Sequence, residues 1–435
     1  MRIIKIKKIQ IRKRTLLHWM ALYLFLMPFL LNAIQAVSGS LSVVKYTLDV
    51  VWIGLTFISL ARSKVFIRRR LLPMLWIVLL FLLYTFVIYG FRFQSVFYYL
   101  WGLRNNFRFY AAFFIFADFL DEWDIERCFK IIEILFWVNI IVSLFQFLVL
   151  GYRWDYLGGI FGTEVGGVSS TLLFFCIVLS MSILQMMTSQ RKTLSCIAQL
   201  MAATVIAALA EIKAFFLILA VILLVSAILT KFSWKKCLLI LIMVICLSLG
   251  SSIMVSIFGA GSKLSLENIL NLIFADSYAS KNDLSRMSSI STLSSTILKD
   301  PLSRWIGLGL GNCDSSAFAI CNTPFYQNHS RLHYNWFSIA FLFLETGYWG
   351  LVLYASFLIT CMISAAVQIR RKSGNILNCQ LTIIMAVVCL ILFVYNSSLR
   401  MDIGYIAYFV LAAPFVRKGQ KSAMLEVETG GSHHV

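Results

Sequence analysis

Apolar residues along this chain gather in runs of about 15 to 25 positions that are separated by polar connections. About 20 residues of α-helix cross the hydrocarbon core of a bilayer, so runs of this length predict membrane-spanning helices. Twelve spans are predicted, at 16–37, 42–60, 71–90, 95–117, 131–150, 168–187, 195–210, 213–230, 236–257, 348–368, 379–397 and 402–416. The pattern therefore predicts an all-α polytopic integral membrane protein.

The connections between the runs alternate in charge. One set carries 25 Lys and Arg residues, whereas the short connections of the opposite set carry only Arg92, Arg153, Lys213 and Arg400. Because basic loops stay on the cytoplasmic side, both termini are predicted to be cytoplasmic. The formal net charge of +19 is then mostly a topology signal, and we expect no nucleic-acid partner.

Composition favours the same class of protein. The 435 residues are 60% hydrophobic and 13% charged, whereas soluble domains carry about 25% charged residues. A chain this apolar is also unlike an intrinsically disordered one. The basic segment Met1–Arg14 precedes a run of full span length without a small-residue cleavage site, which predicts a signal anchor rather than a cleaved signal peptide.

One connection is much longer than the others. About 80 polar, serine-rich residues lie between Phe258 and Trp336 on the predicted outer side, and long loops in compact proteins are usually functional. The prediction divides the chain into a cytoplasmic tail (1–15), a nine-span region (16–257), an extracytoplasmic loop (258–347), a three-span region (348–416) and a second cytoplasmic tail (417–435).

Ionisable residues inside apolar spans are costly and mark either a buried pair or a functional site. Lys45 and Asp49 are four residues apart on one helix face, a spacing that favours a salt bridge between them. Arg104 and Arg108 have the same spacing in the outer half of the fourth span, with no acidic residue nearby in sequence. Either an anionic ligand or a distant carboxylate must neutralise these two arginines.

Two further charged positions have alternative interpretations. Glu211 and Lys213 flank a tight outer turn, where they either form a local ion pair or present Lys213 to an anionic substrate. His18, near the inner end of the first span, is predicted to be a hydrogen-bonded structural residue.

The first half of the outer loop contains an amphipathic segment and a glycine-rich one. Apolar residues from Met287 to Leu298 recur at helical spacing after Arg286, and Asp300-Pro301 is predicted to end that helix. The run Gly307–Asn312 predicts a close backbone approach, either to a ligand or to a neighbouring helix. Cys313 and Cys321 follow, and their spacing leaves a disulfide between them open.

The second half of the loop concentrates polar side chains just before an apolar segment: His329, Arg331, His333 and Asn335. A helix is predicted over 336–346, with the tenth span beginning after Gly347. Two histidines and an arginine are a poor set of metal ligands, so a histidine here is better suited to act as a general base or to form hydrogen bonds. The outer carboxylates also lack ligand spacing, so no metal or other cofactor is expected; they are Asp155, Glu164, Asp283, Asp300 and Asp314.

Parts of the outer loop resemble the superfamily of O-antigen polymerases and O-antigen ligases. An arginine followed by a proline and a G-x-G-x-G run matches Arg286, Pro301 and Gly307–Gly311. A histidine and a polar residue before an apolar helix and E-x-G-x-x-G-L match His333, Asn335 and Glu345–Leu351.

The first nine spans contribute two more similarities. Gly158–Thr163 is similar to the family's glycine-rich G-x-F-G stretch, and Glu211–Lys213 falls where many members have Ser-Arg-Gly, so Lys213 takes the place of their arginine. The resemblance also covers the predicted topology. Ligases commonly place their histidine at the position of Trp336, and His333 lies three residues earlier, which favours a polymerase over a ligase.

The resemblance implies a glycosyltransferase of the bacterial inner membrane that polymerises polysaccharide repeat units. Such an enzyme moves a growing glycan from undecaprenyl pyrophosphate onto the next lipid-linked unit at the outer leaflet. Its implied partners are these lipid-linked oligosaccharides, membrane lipid, a chain-length regulator and a flippase. An O-antigen ligase that transfers glycan to lipid A core is one alternative, and a flippase or other transporter is the second.

The resemblance and the chemistry together suggest roles for the polar residues. A pyrophosphate leaving group needs fixed cations, and arginine binds it through two parallel hydrogen bonds. Arg286, Arg104, Arg108 and Lys213 are therefore predicted to bind pyrophosphate. His333 or His329 is predicted to accept the proton of the acceptor hydroxyl, with Glu345 as the competing base. Further predicted contacts to the substrate come from Arg331, Arg304 and Asn335.

Overall fold

A computed structural model describes residues 16–37, 44–61, 70–164, 166–231, 234–259, 262–265, 284–316 and 318–417. The predicted tail at 1–15, residues 418–435 of the predicted tail at 417–435, and the loop residues 266–283, Asp283 among them, lie outside this description. The described residues form helices and no β-strand, apart from an isolated bridge between Asp121 and Arg417. The predicted all-α class is confirmed.

Nine of the described helices lie in the first part of the chain. They are α1 (Leu16–Val37), α2 (Lys45–Ala61), α3 (Leu72–Phe91), α4 (Val96–Phe119), α5 (Glu122–Leu148), α6 (Gly167–Met187), α7 (Thr193–Leu209), α8 (Lys213–Leu229) and α9 (Trp234–Phe258). Six more described helices follow in the outer loop and the C-terminal part. They are α10 (Ser289–Thr296), α11 (Pro301–Ile306), α12 (Pro324–His329), α13 (Ser338–Arg370), α14 (Ile376–Tyr395) and α15 (Gly404–Ala412).

Seven of the described helices are long and apolar enough to cross a membrane, which supports a multi-pass membrane protein. They are α1, α3, α5, α6, α9, α13 and α14. Helices α7, α8 and α15 are apolar but shorter, and α2 and α4 carry charged side chains. The count of twelve spans therefore stays a prediction, although each predicted run coincides with a helix.

The ends of the helices group in the way that alternating spans require. At one end, His18 Nε2 on α1 lies 3.0 Å from Asp124 on α5, and Arg417 pairs with Asp118 at the end of α4. The contact of His18 agrees with its predicted structural role. At the other end, Arg92 after α3 donates to Ser303 of the outer loop. We call this second end the outer end, following the predicted topology, which stays a prediction.

Helix α5 begins about nine residues before its predicted span, because a polar cap starts it. The Asp121 carboxylate accepts from the Asp124 backbone N–H, and the Asp124 carboxylate accepts from the Asp121 N–H. This reciprocal arrangement satisfies two N–H groups that a helix start leaves without partners. The interior beneath it is aromatic, with Phe25, Phe116 and Phe129 all packed around Phe409 of α15.

The outer loop has its own small core. Leu284, Leu293, Leu298 and Cys313 pack with apolar residues from the first turns of α13, such as Phe341. The predicted helix over this segment is shorter than expected, because α10 spans only Ser289–Thr296. The predicted stop at Asp300-Pro301 instead begins a new helix, since the Asp300 carboxylate accepts from the Ser303 N–H and caps α11.

Helix α13 contains the predicted break at Gly347, although it begins at Ser338 rather than 336. Gly347 has φ 62° and ψ −165°, a conformation that only glycine adopts readily. Its Cα faces the backbone of Trp305 so closely that a β-carbon would lie 2.7 Å from the Arg304 carbonyl oxygen. The loop helix α11 therefore fixes the position of the break.

The glycine run makes its close approach to helices. Leu308 and Gly309 donate backbone hydrogen bonds to the carbonyls of Leu344 and Glu345, at 2.8 and 2.9 Å. On the other side, a β-carbon on Gly102 of α4 would lie 2.5 Å from the Gly311 nitrogen. Of the two predicted alternatives, a ligand or a neighbouring helix, the structure therefore has the second, with α4 and α13 as the neighbours.

Candidate functional site: a cationic cavity at the outer end

The polar segment Leu103–Arg108 of α4 is the centre of the site. Arg104 pairs with Asp49 of α2, with nitrogen–oxygen distances of 2.9 and 3.0 Å. Arg108 Nη1 lies 2.9 Å from Asp402, in the turn between α14 and α15. Distant carboxylates therefore neutralise both arginines, which is one of the two outcomes that the sequence left open.

The predicted salt bridge between Lys45 and Asp49 is wrong. Asp49 faces α4 instead, where its Oδ2 accepts both bonds from Arg104 while its Oδ1 accepts from Trp52. The Lys45 ammonium lies 5.2 Å from the Tyr46 ring centroid and forms no ion pair with any described carboxylate. Asp49 binds Arg104 in preference to Lys45, because a guanidinium binds a carboxylate through two hydrogen bonds, whereas an ammonium is a point charge.

The two asparagines between the arginines also contact acidic residues. Asn105 Nδ2 donates to Asp314 of the outer loop, and Asn106 Nδ2 lies 3.5 Å from Glu345 of α13. All four polar side chains of this segment thus reach different acidic residues on four separate parts of the chain. The segment joins α2, the outer loop, α13 and the turn before α15.

Arg400 is a member of the site that the functional assignments from sequence missed. Its guanidinium lies over the Phe341 ring, 3.1 Å from the centroid, and 3.9 Å from Asp314, while its carbonyl oxygen accepts from Arg108. Burial lowers the pKa of the Arg400 guanidinium, and the nearby Asp314 carboxylate opposes that shift. A signal was available in the sequence, since Arg400 is one of only four basic residues in the short outer connections.

Between these helices lies a polar cavity of about 420 Å³, within the size range of ligand pockets. Three cationic side chains line it, namely Lys45, Arg104 and Arg108, together with the carboxylates of Glu164 and Asp402. Further polar and aromatic lining comes from Asn32, Tyr46, Trp101, Ser170, Ser315 and Ser316. We call this space the cationic cavity.

One wall of the cationic cavity is the glycine-rich segment before α6. Gln146 of α5 makes two hydrogen bonds with the backbone of Gly159, at 2.8 and 2.9 Å, and Asn139 accepts from the Ile160 N–H. Gly162 and Gly166 have φ values of 89° and 111°, so the chain turns twice here in conformations that favour glycine. Buried amides on α5 thus hold this wall in place, and Glu164 belongs to it.

Arg286 and His333, the main catalytic predictions, do not line the cationic cavity. Arg286 is buried, donates from Nε to the Tyr395 carbonyl at 3.3 Å and lies 4.4 Å from that residue's ring centroid. Partial desolvation raises the pKa of the Asp155 carboxyl, and the nearby Arg286 guanidinium opposes that shift. Leu284 donates to the Leu332 carbonyl, so the chain segments that carry Arg286 and His333 lie side by side.

The two loop histidines stack on aromatic rings. His333 has a left-handed backbone (φ 51°, ψ 30°), and its ring lies 4.1 Å from that of Trp336. His329 stacks on Phe325 at 4.4 Å, with Nδ1 3.1 Å from the Phe325 carbonyl oxygen. His333 and Trp336, the position at which ligases place their histidine, therefore share one stacked pair.

The remaining predicted residues are spread over the outer end. Glu345 is fully buried, with Oε1 3.4 Å from the Cys313 N–H nitrogen. Arg304 donates to the carbonyls of Leu298 and Lys299, which closes the turn before α11. Arg331 is exposed and Asn335 half-buried, and neither lines the cationic cavity.

Lys213 forms the local pair that was one of its two predicted alternatives. Its ammonium lies 3.3 Å from Glu211, whose carboxylate also accepts from Ser262. Cys313 and Cys321 are both free cysteines, so the disulfide left open by their spacing is absent here. Among the described residues, no three His, Cys, Asp or Glu side chains form a group that could hold a metal ion.

Comparison with known proteins found no matching family model, no similar curated protein and no similar solved structure. The function of the cationic cavity must therefore be inferred from its own chemistry.

Proposed function

We propose that this protein is a polysaccharide repeat-unit polymerase that transfers a glycan from a lipid pyrophosphate to the next lipid-linked unit at the outer end of the helices. The observation that carries the proposal is the cationic cavity, where Lys45, Arg104 and Arg108 surround a space large enough for a pyrophosphate. Together with the resemblance in the loop, these cations favour a transferase with an anionic leaving group.

The three cations differ in readiness to bind an anion. Lys45 has no carboxylate partner among the described residues, whereas Arg104 and Arg108 each hold one. Asp402 is about one-third exposed, at 34% of its side-chain surface. When a phosphoryl oxygen takes the place of the Asp402 carboxylate on Arg108, water therefore solvates Asp402 at low cost. Fixed donors of this kind stabilise the charge that develops on a leaving pyrophosphate, and such stabilisation is normally the main source of catalysis.

The remaining lining suits a sugar. Aromatic rings of Tyr46 and Trp101 stand beside Arg104, and the hydroxyls of Ser315 and Ser316 line the same space. Hydroxyl and amide groups bind the hydroxyls of a glycan by hydrogen bonding, and the two rings offer apolar faces to it. A lipid-linked oligosaccharide therefore matches the lining better than an inorganic anion alone.

As part of this proposal, Arg286 and His333 contact the substrate, as the resemblance implies. Their neighbouring positions, on segments joined by the hydrogen bond from Leu284 to Leu332, are compatible with contact to the acceptor unit. Glu345 suits a structural role better than a catalytic one, because it is fully buried between α4 and the glycine run.

The test uses a strain that lacks the gene, complemented with the wild type or with Lys45→Ala, Arg104→Gln, Arg286→Ala or His333→Ala at matched protein levels. Surface glycans and lipid-linked glycans are resolved on gels. Single repeat units on the outer surface of the deletion strain support the polymerase. Lys299→Ala, which changes an exposed loop lysine, is the matched control.

Other gel patterns identify the alternatives. Long chains that accumulate on the lipid carrier in the deletion strain would identify a ligase, and single units retained inside the cell would identify a flippase. If the Lys45→Ala and Arg104→Gln variants both make full-length polymer, the cationic cavity is not the site of transfer.

A further inference from the structure

The cationic cavity contains an acidic residue that the sequence predictions left without a role. Glu164 lies in the turn between Phe161 and α6, where its carbonyl accepts from the Gly167 N–H at 3.0 Å. Its side chain is exposed and lines the cavity that Lys45, Arg104 and Arg108 also line. A carboxylate therefore shares the space in which the leaving pyrophosphate is proposed to bind.

The other acidic residues near the cavity already have partners. Asp402 is bound to Arg108, and Asp49 to Arg104. Asp314 accepts from Asn105 and lies beside Arg400. Glu164 differs from them because its carboxylate has no hydrogen bond or ion pair with any described residue. It is therefore the acid in the cavity that is open to a ligand.

The geometry points to Glu164 as the general base of the transfer, an inference that rests on the proposed function. A general base must lie within hydrogen-bond reach of the proton that it removes. His333 stacks on Trp336 outside the cationic cavity, and Glu345 is fully buried between helices. Glu164 is exposed and lines the space where the donor pyrophosphate is proposed to bind.

The proposed glycosyl transfer accounts for every bond and proton without a cofactor. The acceptor hydroxyl oxygen forms a bond to the anomeric carbon of the donor glycan, and the bond from that carbon to the pyrophosphate oxygen breaks. The electron pair of the broken bond stays on the lipid pyrophosphate, beside Lys45, Arg104 and Arg108. The Glu164 carboxylate receives the hydroxyl proton and later releases it to water.

Hydrogen bonds from two helices anchor the backbone of the wall that carries Glu164. Gln146 and Asn139 fix the backbone at Gly159 and Ile160 from behind, and Thr171 of α6 donates to the Gly158 carbonyl at 2.7 Å. The cations come from α2 and α4, whereas Glu164 comes from the segment before α6. Base and leaving-group site thus lie on different walls, as a displacement across the cavity requires.

The experiment uses the full-length protein in lipid nanodiscs, with lipid-linked repeat units extracted from the deletion strain as substrate. Single-turnover transfer is measured against pH for the wild type, Glu164→Gln and Glu164→Asp. Binding of the lipid-linked units is measured separately. Glu126→Gln, which makes the same change at an exposed residue at the opposite end of α5, is the matched control.

We expect Glu164→Gln to slow transfer by about 100-fold or more while binding of the lipid-linked units is retained, as loss of a general base does. The wild-type rate should rise with pH along an acid limb, because only the ionised carboxylate accepts a proton. Glu164→Gln should lose that limb, and Glu164→Asp should keep it with an intermediate rate. The charged groups lining the same cavity are Lys45, Arg104, Arg108 and Asp402.

Two results would overturn the inference, and they are distinguishable. If the wild type does not extend the lipid-linked units, the proposed function fails and the role of Glu164 fails with it. If the wild type is active and Glu164→Gln keeps both its rate and its acid limb, the base lies elsewhere and only this inference is wrong. A wild-type rate without an acid limb excludes a carboxylate base, whatever the folding of the variants.

Discussion

Arg108 and Asp402 are 294 residues apart in the chain, and their side chains lie 2.9 Å apart between α4 and the turn before α15. Removing one member of a buried pair leaves the other charge without compensation. We expect Asp402→Leu, which leaves the buried Arg108 guanidinium without its carboxylate, to lower the free energy of unfolding by about 3 kcal/mol, measured by reversible unfolding in mixed micelles. Asp402→Asn should cost less, because the amide oxygen still accepts from Arg108.

A double-mutant cycle checks that this cost comes from the pair. The Arg108→Met and Asp402→Leu double variant should be more stable than the sum of the two single changes predicts, since neither charge is left alone. Additive effects would mean that the two side chains do not interact.

The approach of α4 to the glycine run is too close for a side chain. A β-carbon at Gly102 would lie 2.5 Å from the Gly311 nitrogen, and one at Gly311 would collide with the Tyr98 carbonyl oxygen. Overpacking of this kind costs about 1–3 kcal/mol, and backbone atoms on the other side cannot move aside as a side chain can. We expect Gly102→Ala and Gly311→Ala to lower the yield of folded protein in fluorescence-detected size exclusion.

Two other glycines serve as controls for that prediction. Gly54 and Gly90 are both helical, and a β-carbon added to either would meet no atom within 4 Å, so alanine fits at each. Normal yield for all four variants would contradict the close approach.

Substitutions of two cavity cations, Lys45 and Arg104, should affect ligand binding and protein stability differently. Lys45→Ala is expected to weaken binding of a lipid pyrophosphate about tenfold, as loss of one charge-assisted bond would, with little change in thermal stability. Arg104→Ala should weaken binding and also destabilise the protein, because it leaves Asp49 without its partner. Binding to nanodiscs of stated lipid content and thermal unfolding give the two readouts, and equal stability losses would contradict this division.

Substitution by leucine should change the free energy of unfolding differently at two buried glutamines. Gln146 makes two hydrogen bonds to Gly159 behind the cavity wall, so Gln146→Leu should destabilise the protein by about 2 kcal/mol and slow transfer. Gln199 on α7 is fully buried, and neither of its amide atoms has a partner among the described residues. Gln199→Leu should therefore be neutral or stabilising in the same unfolding assay.

Cysteine labelling tests the predicted topology in the unmodified protein. Of the ten cysteines, Cys237 at the start of α9 is exposed and the other nine are buried. A membrane-impermeant maleimide should label Cys237 in inside-out vesicles and leave it unlabelled in intact spheroplasts. The opposite result would reverse the orientation and place the cationic cavity on the cytoplasmic side.

Much of the fold follows from patterns that are local in the sequence. The apolar runs predicted helices because a helix satisfies its own backbone hydrogen bonds, and the break at Gly347 followed from a glycine between two apolar segments. The end of α10 was predicted less well. Asp300-Pro301 was expected to end this helix, but Asp300 caps the start of the next one, and the sequence alone does not distinguish these two positions of an Asp-Pro pair.

The sequence by itself determined that this is an all-α membrane protein with costly charges in two of its helices, since composition and periodicity act over a few turns. Only the tertiary structure decided which charges meet. Asp49 pairs with Arg104 rather than with Lys45, and Asp402 with Arg108, because charge pairs form between side chains that packing brings together, whatever their separation in the chain. The same packing leaves Lys45 and Glu164 lining one cavity, without an ion-pair partner for either among the described residues.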